Sequence, residues 1–238
     1  MLEALGDAKT RRLDTTNGLP FEQIAAARPD LILATDEYEL ERNRAKLTRI
    51  APTLAYAKVA GTDAWQVTAK RVGHALGRSQ QATDLVKQIE RQLRSTRDAH
   101  PEFAGKAVVT GAVSPDGQFD LVSRDSDAAA LFLHQLGMRL SSKITALPET
   151  ANPGRSMISQ EQISLLDADL LMLYYLAPEA QRTLEAKRLF QRLDVVRRGS
   201  YVAFDSDPPL ALAMAFPSVL SIPYALDNVV PLIAKALA

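Results

Sequence analysis

The residues able to do chemistry in this chain are few, and their spacing narrows what they could do. Cysteine is absent, which removes disulfides, thiolate metal sites and thiol nucleophiles together. The three histidines, His74, His100 and His134, fall on two expected helices and a loop, with no pair at the helical spacing of metal ligands. Asp125 with Asp127, and Asp205 with Asp207, are short acidic pairs at loop ends. Neither follows the calcium-loop pattern, and solvated turns account for both. Gly111-Ala112-Val113-Ser114 follows an expected strand but lacks the lysine and glycine spacing of a phosphate cradle. Catalysis and metal binding by the protein itself therefore find little support, and binding is better served. Tyr38, Arg124, Tyr174 and Tyr175 fall at the carboxyl ends of expected strands, where ligands sit in parallel sheets. Trp65, the only tryptophan, opens an expected helix. An arginine among aromatic side chains suits an anionic, flat or conjugated ligand through charge-assisted hydrogen bonds and stacking. Taken singly, each of these residues is explained as well by core packing or capping.

Two glutamates stand out for a different reason. Glu22-Gln23-Ile24 runs to Asp30-Leu31, and Glu161-Gln162-Ile163 runs to Asp169-Leu170, at the same spacing. Each copy reads as a short helix, a corner and a buried strand, which is half of a βαβ unit. Phe21, Ile24 and Ala25 share one face of the first helix, and Ile163 with Leu166 one face of the second, so both glutamates point outward. First-turn acids favoured by the helix dipole would look the same, but their recurrence in a repeat suggests two related lobes with matching surface anchors.

The elements that must position these residues alternate. Strands are expected at 31–34, 53–57, 107–113, 119–123, 170–175 and 201–204, and helices at 38–50, 64–76, 127–136, 178–187 and 224–237. Residues 79–99 hold no Gly or Pro and carry Ala82, Val86, Ile89 and Leu93 at helical spacing, so a long helix is expected between the two repeats. A polar stretch over 141–155 is expected to be a surface loop, and Ser159 with Gln162 marks a capping box. The alternation predicts an α/β fold of two Rossmann-like lobes with mainly parallel sheets. The division is residues 1–78, the helix 79–99, and residues 100–238. At 238 residues and 47% apolar the chain can bury two modest cores. Lys plus Arg equal Asp plus Glu at 28 each, so no overall field draws it to nucleic acid or an anionic membrane. No apolar run reaches the length of a membrane span, and residues 1–16 show no basic-then-apolar signal, which as written leaves the chain without an export address.

Several motifs carry a family resemblance. Gly18-Leu19-Pro20-Phe21-Glu22-Gln23-Ile24, Ile50-Ala51-Pro52-Thr53, Gly73-His74-Ala75-Leu76-Gly77-Arg78, Pro153-Gly154-Arg155-Ser156 with Glu161-Gln162-Ile163, and Phe216-Pro217-Ser218-Val219 through Tyr224 occur in the order found in the iron-siderophore and cobalamin substrate-binding proteins of ABC importers. The similarity spans essentially the whole chain. It implies two lobes joined by one rigid helix, a ferric siderophore or similar chelate held between them, and no resident metal or cofactor. It also implies a monomer outside the cytoplasmic membrane, periplasmic or anchored as a lipoprotein, with Glu22 and Glu161 docking on arginines of a membrane permease. Against the family pattern the chain starts after the first strand-helix-strand segment, so an incomplete N-terminal lobe is expected. Two other readings are a tetrapyrrole metal chelatase-like enzyme, which needs a cleft histidine beside a carboxylate, and a non-binding remnant.

Overall fold

The structure is a computed structural model, which describes residues 11–204 and 208–238. Asp205, Asp207 and the first ten residues lie outside these. The first lobe is organised around two short parallel strands. Helix α1 (Phe21–Ala26) follows Pro20 and is closed by Arg28, which takes a left-handed φ of 47° immediately before Pro29. Strand β1 (Ile32–Ala34) pairs in parallel with β2 (Thr53–Ala55), Ile32 opposite Thr53, and α2 (Leu40–Ile50) makes the crossover. Their core is small: Ala34, Leu40 and Leu47, with Leu19, Phe21, Ile24 and Tyr56 packed around.

Helix α3 (Trp65–Ala75) stops at Gly77 and α4 (Ser79–Ala99) runs for 21 residues, or about 32 Å. The expected helix over 79–99 thus forms, and Ala82, Val86, Ile89 and Leu93 are its buried stripe. A methyl group at Gly73 would overlap that of Ala82, so α3 and α4 pack with their backbones nearly touching.

The larger sheet has the order β6-β4-β3-β7-β8, with β5 beside β3. It is built from β3 (Ala107–Val113), β4 (Phe119–Val122), β5 (Arg139–Leu140), β6 (Arg155–Ile158), β7 (Leu170–Tyr175) and β8 (Tyr201–Phe204). β5, β7 and β8 join in parallel, as expected. β4 is antiparallel to both its neighbours, β3 and β6, because the Ser114–Gly117 turn folds it straight back on β3. Helices cover both faces: α5 (Ala128–Gln135), α10 (Pro208–Ala215), α11 (Ser221–Asn228) and α12 (Val230–Leu237) join α3 and α4 on one side. On the other are a 3-10 turn (Gln160–Leu166), α7 (Pro178–Glu185), α8 (Arg188–Gln191) and α9 (Asp194–Arg197), while α6 (Ser142–Thr145) follows β5. Strand β7 shows the division residue by residue. Leu170, Met172 and Tyr174 face the first core, and Leu171, Leu173 and Tyr175 face the second.

Three local expectations are corrected. The stretch 141–155 is not all loop, since it holds α6 and the first residue of β6. The single last helix is two, broken at Val229 because Pro231 cannot donate into a continuing helix. The second repeat helix is a kinked 3-10 turn with non-helical Gln162, although the Ser159 amide still donates to Gln162 Oε1 at 3.3 Å as the capping signature required.

Candidate functional site

Sheet register assembles the centre of the site. Met157 lies opposite Asp120, Asp120 opposite Ala112, Ala112 opposite Tyr174, and Tyr174 opposite Phe204. Directly paired residues project to the same face, so these five form one row across the sheet, on the side of the larger core. Arg155, two residues before Met157 on β6, joins them on that face. At the Phe204 end the row is buried under helices, whereas Met157 is 51% exposed. The small Ala112 leaves a shallow floor between Asp120 and Tyr174.

Arg155 is the pivot. Its side chain is 11% exposed, and Nε donates at 3.0 Å to Oδ2 of Asp127, itself 6% exposed. Nη1 donates at 3.4 Å to the Tyr174 hydroxyl. Burial acts to lower the guanidinium pKa, but Asp127, then Tyr174 and Asp120, hold it above its ordinary value. Asp127 is also the N-cap of α5, accepting from the Ala129 amide at 2.8 Å. Burial raises its carboxyl while Arg155 and the cap bonds oppose. The pair can close because Gly154, at φ +81°, precedes Arg155; a methyl there would sit 3.2 Å from the Asp127 side chain. Asp120 is pushed up by burial, with Arg155 opposing, and its Oδ1 is buried without a hydrogen-bond partner among the described residues.

The other lobe supplies the roof. Tyr38 follows β1 and is half exposed; its phenol is raised by burial, and Arg155, Asp127, Asp36 and Tyr174 are close enough for their charges to act on it. Its hydroxyl rests on Gly61, where a Cβ would come within 2.5 Å. The Gly61 carbonyl in turn accepts from the Ala128 amide at 3.1 Å, next to Asp127. Tyr38 and Gly61 of one lobe therefore meet Asp127, Arg155 and Tyr174 of the other.

Of the residues singled out from sequence, the structure brings Tyr38 and Tyr174 together and places the others elsewhere. Arg124 has its donors engaged: Nη1 binds the carbonyls of Ser123 and Thr145 at 2.8 and 3.1 Å, Nη2 that of Leu147 at 2.9 Å, and Nε lies 2.8 Å from Glu149. It clamps the loop after α6. Trp65 is 2% exposed in the larger core, its indole N–H donating to Gln135 Oε1 at 3.0 Å. Tyr175 faces the opposite side of the sheet from Tyr174, because successive strand residues alternate, and bonds to Tyr201, which donates to Glu185. Glu22 and Glu161 are both exposed. His100 stacks on Phe103 and pairs with Glu102 at 2.7 Å, His74 is 3.5 Å from the Ser79 hydroxyl, and His134 meets a largely solvated Asp125 at 3.3 Å. Among the described residues no group of three His, Asp or Glu could hold a metal ion. Arg155, Gly61 and Gly154 are site residues that the sequence reading passed over, and Asp127, expected to be a solvated turn acid like Asp125, is instead buried because it caps α5 and pairs with Arg155. Asp127 before Ala128-Ala129-Ala130 carried an N-cap signal, and Gly154-Arg155 lay inside a quoted motif without being assigned a role.

The periplasmic binding protein family matches residues 3–208, most of the chain. The chain belongs to this family. Its members bind solutes and are not enzymes, which removes the chelatase reading. Among solved structures, a periplasmic solute binding protein from Mycobacterium smegmatis is 27% identical with a TM-score of 0.81, covering 99% of this chain and 79% of its own. PiaA of Streptococcus pneumoniae, solved in complex with ferrichrome, is 25% identical with a TM-score of 0.79 over 94% of this chain and 75% of its own. FhuD2 of Staphylococcus aureus with bound ferrioxamine B, at 15% identity and a TM-score of 0.70 over 95% and 83%, shares the fold. No curated protein sequence matches the chain.

Proposed function

We propose that this binding protein holds a ferric siderophore or related Fe(III) chelate between its lobes and delivers it to the permease of an ABC importer outside the cytoplasmic membrane. The observation that carries the reading is the meeting of Tyr38 from one lobe with Arg155 and Tyr174 from the other, over a row of sheet that reaches solvent at Met157. A phenol pair and a guanidinium with unspent N–H donors suit the oxygen-rich surface of an iron chelate. The chelate brings its own iron ligands, so the protein needs none. PiaA, 25% identical, was solved with ferrichrome, which supports the same class of cargo here. Glu22 and Glu161, exposed on the repeated elements of the two lobes, are proposed as the permease contacts. The test is quenching of Trp65, the single tryptophan, during titration with ferric siderophores, the iron-free siderophores and haem. Saturable micromolar binding of a ferric siderophore supports the reading. Tight binding of haem alone, or of nothing in the panel, overturns it.

A further inference from the structure

The charges around the cleft say which chelates it can take. Arg155 is the cation beside the sheet row, on the same face, and it is already matched by Asp127 at 3.0 Å. Asp120 lies on the same face, and Asp36 lies on the roof loop near Tyr38. Two groups of neighbouring cations are committed elsewhere. Arg124 serves Glu149 and three carbonyls. Arg71 sits 3.9 Å from Asp63 and, with Lys58 and Arg44, lines a separate hollow beside β2. With Arg155 and Asp127 cancelling each other, the carboxylates left over at the cleft among the described residues are Asp120 on the sheet and Asp36 on the roof loop, the latter in a hollow that Arg78 also lines. Of these, Asp120 carries a buried oxygen with no donor, and a buried acceptor left unpaired is costly until something donates to it.

Elementary charge counting separates the chelates. Three hydroxamates balance Fe(III) and give a neutral complex, and a pendant ammonium makes it a cation. Three catecholates leave a trianion, and carboxylate-based chelates are also anionic. An anion approaching the unmatched Asp120 is repelled, and less screened the more the site is closed off from water, whereas an amide N–H or ammonium that reaches Asp120 can satisfy it. We infer that, within the chelate-binding reading above, this site selects neutral or cationic ferric hydroxamates over anionic catecholate and carboxylate chelates, with Asp120 as the residue that discriminates. The anionic ligand suggested by Arg124 among aromatics is thereby disfavoured, because Arg124 is engaged by Glu149 and three carbonyls, and the arginine that does face the site, Arg155, is matched by Asp127.

The experiment titrates Trp65 fluorescence with ferrioxamine B, ferrichrome, ferric staphyloferrin B and a ferric tris-catecholate, each iron-loaded. The expected result is binding of both hydroxamates at least roughly tenfold tighter than either anion, an advantage of about 1.4 kcal/mol. Asp120→Asn is expected to close the gap between ferrioxamine B and the tris-catecholate by roughly tenfold, with circular dichroism confirming a folded protein. Should that variant fail to fold, Asp36→Asn, at an exposed position, is expected to narrow the same gap several-fold. Equal or tighter binding of an anionic chelate overturns the inference, as does an unchanged ratio in the folded variant. If no chelate of either class binds, the chelate-binding reading falls and the preference with it.

Discussion

Replacing Arg155 by alanine is the most direct test of the pairing at the cleft. The substitution leaves Asp127, with its side chain 6% exposed, buried beside an empty position. Removing one partner of a buried ion pair costs about 3–5 kcal/mol. Asp127 keeps the bond from the Ala129 amide, which places the expected loss at about 3 kcal/mol at pH 7. For a chain of this size that corresponds to a fall in Tm of about 6–12 °C. The pH dependence has a definite sign. Burial already raises the Asp127 carboxyl in the folded protein, with Arg155 opposing, so loss of Arg155 raises it further. The folded variant then binds a proton that the unfolded chain has released, and stability falls as pH rises through that window. The deficit should be smaller at pH 4.5 than at pH 7, by roughly the protonation of one carboxyl. Thermal and urea unfolding followed by circular dichroism at the two pH values measures it. The double variant with Asp127→Asn removes the stranded charge and keeps a good N-cap, so it should recover to within about 1 kcal/mol of the wild type. A wild-type midpoint for Arg155→Ala, or no recovery in the double variant, would refute the argument that this pair is buried and mutually dependent.

Other expectations follow from the same geometry. Glu22→Arg and Glu161→Arg should each shift stability by less than about 0.5 kcal/mol and leave chelate affinity unchanged while reducing transport by reconstituted permease several-fold; normal transport by both would end the docking assignment. Gly61→Ala places a methyl at a φ of +71° and 2.5 Å from the Tyr38 hydroxyl, so a loss of about 1–3 kcal/mol with weakened chelate binding is expected, and unchanged affinity would remove Tyr38 from the roof of the site. The Asp120 carboxyl is raised by burial, so the wild type should lose stability as pH climbs through that raised value, whereas Asp120→Asn should show a flatter profile; identical slopes in urea melts across pH 4 to 8 would contradict this.

The framework was legible in the sequence wherever local pattern and tertiary structure agree. The stripe of Ala82, Val86, Ile89 and Leu93 without an interrupting Gly or Pro forecast α4 to its bounds, and the unbroken apolar run from Leu170 forecast β7. What failed depended on partners distant in sequence. Arg155 opens a strand that exists because it pairs with Val122, and nothing within 141–155 announces that partner. In the sequence Arg124, after an expected strand, and Arg155, at the end of an expected loop, give no sign of their different partners. Only the fold shows one engaged with Glu149 and the carbonyls of the 145–149 loop, and the other sealed against Asp127. Tyr174 and Tyr175 were read as a pair although a strand's alternation sends them to opposite layers. That error was avoidable from the strand assignment itself. The mixed character of the sheet was also readable in part, since a four-residue turn with glycine between two strands leaves room for a hairpin and not for a helical crossover.

These contacts bear on how binding and release can work. α4 is no bare rod between lobes: its apolar stripe lies in a core shared with Trp65 of α3, Phe132 of α5, and Ile222 and Ile233 of the last helices. Trp65 is further tied to Gln135 by its indole N–H, and Gly61 to Ala128 through the backbone. That core belongs to the helix layer of the larger sheet and is separate from the small core of the first lobe, so the backbone bond between Gly61 and Ala128 is a direct tie between the two. At the roof, Tyr38 is half exposed and its hydroxyl rests on a glycine with no side chain to interlock. The roof over Arg155 and Asp120 thus rests on one half-exposed side chain, while the floor is held by the register of β6, β4, β3 and β7.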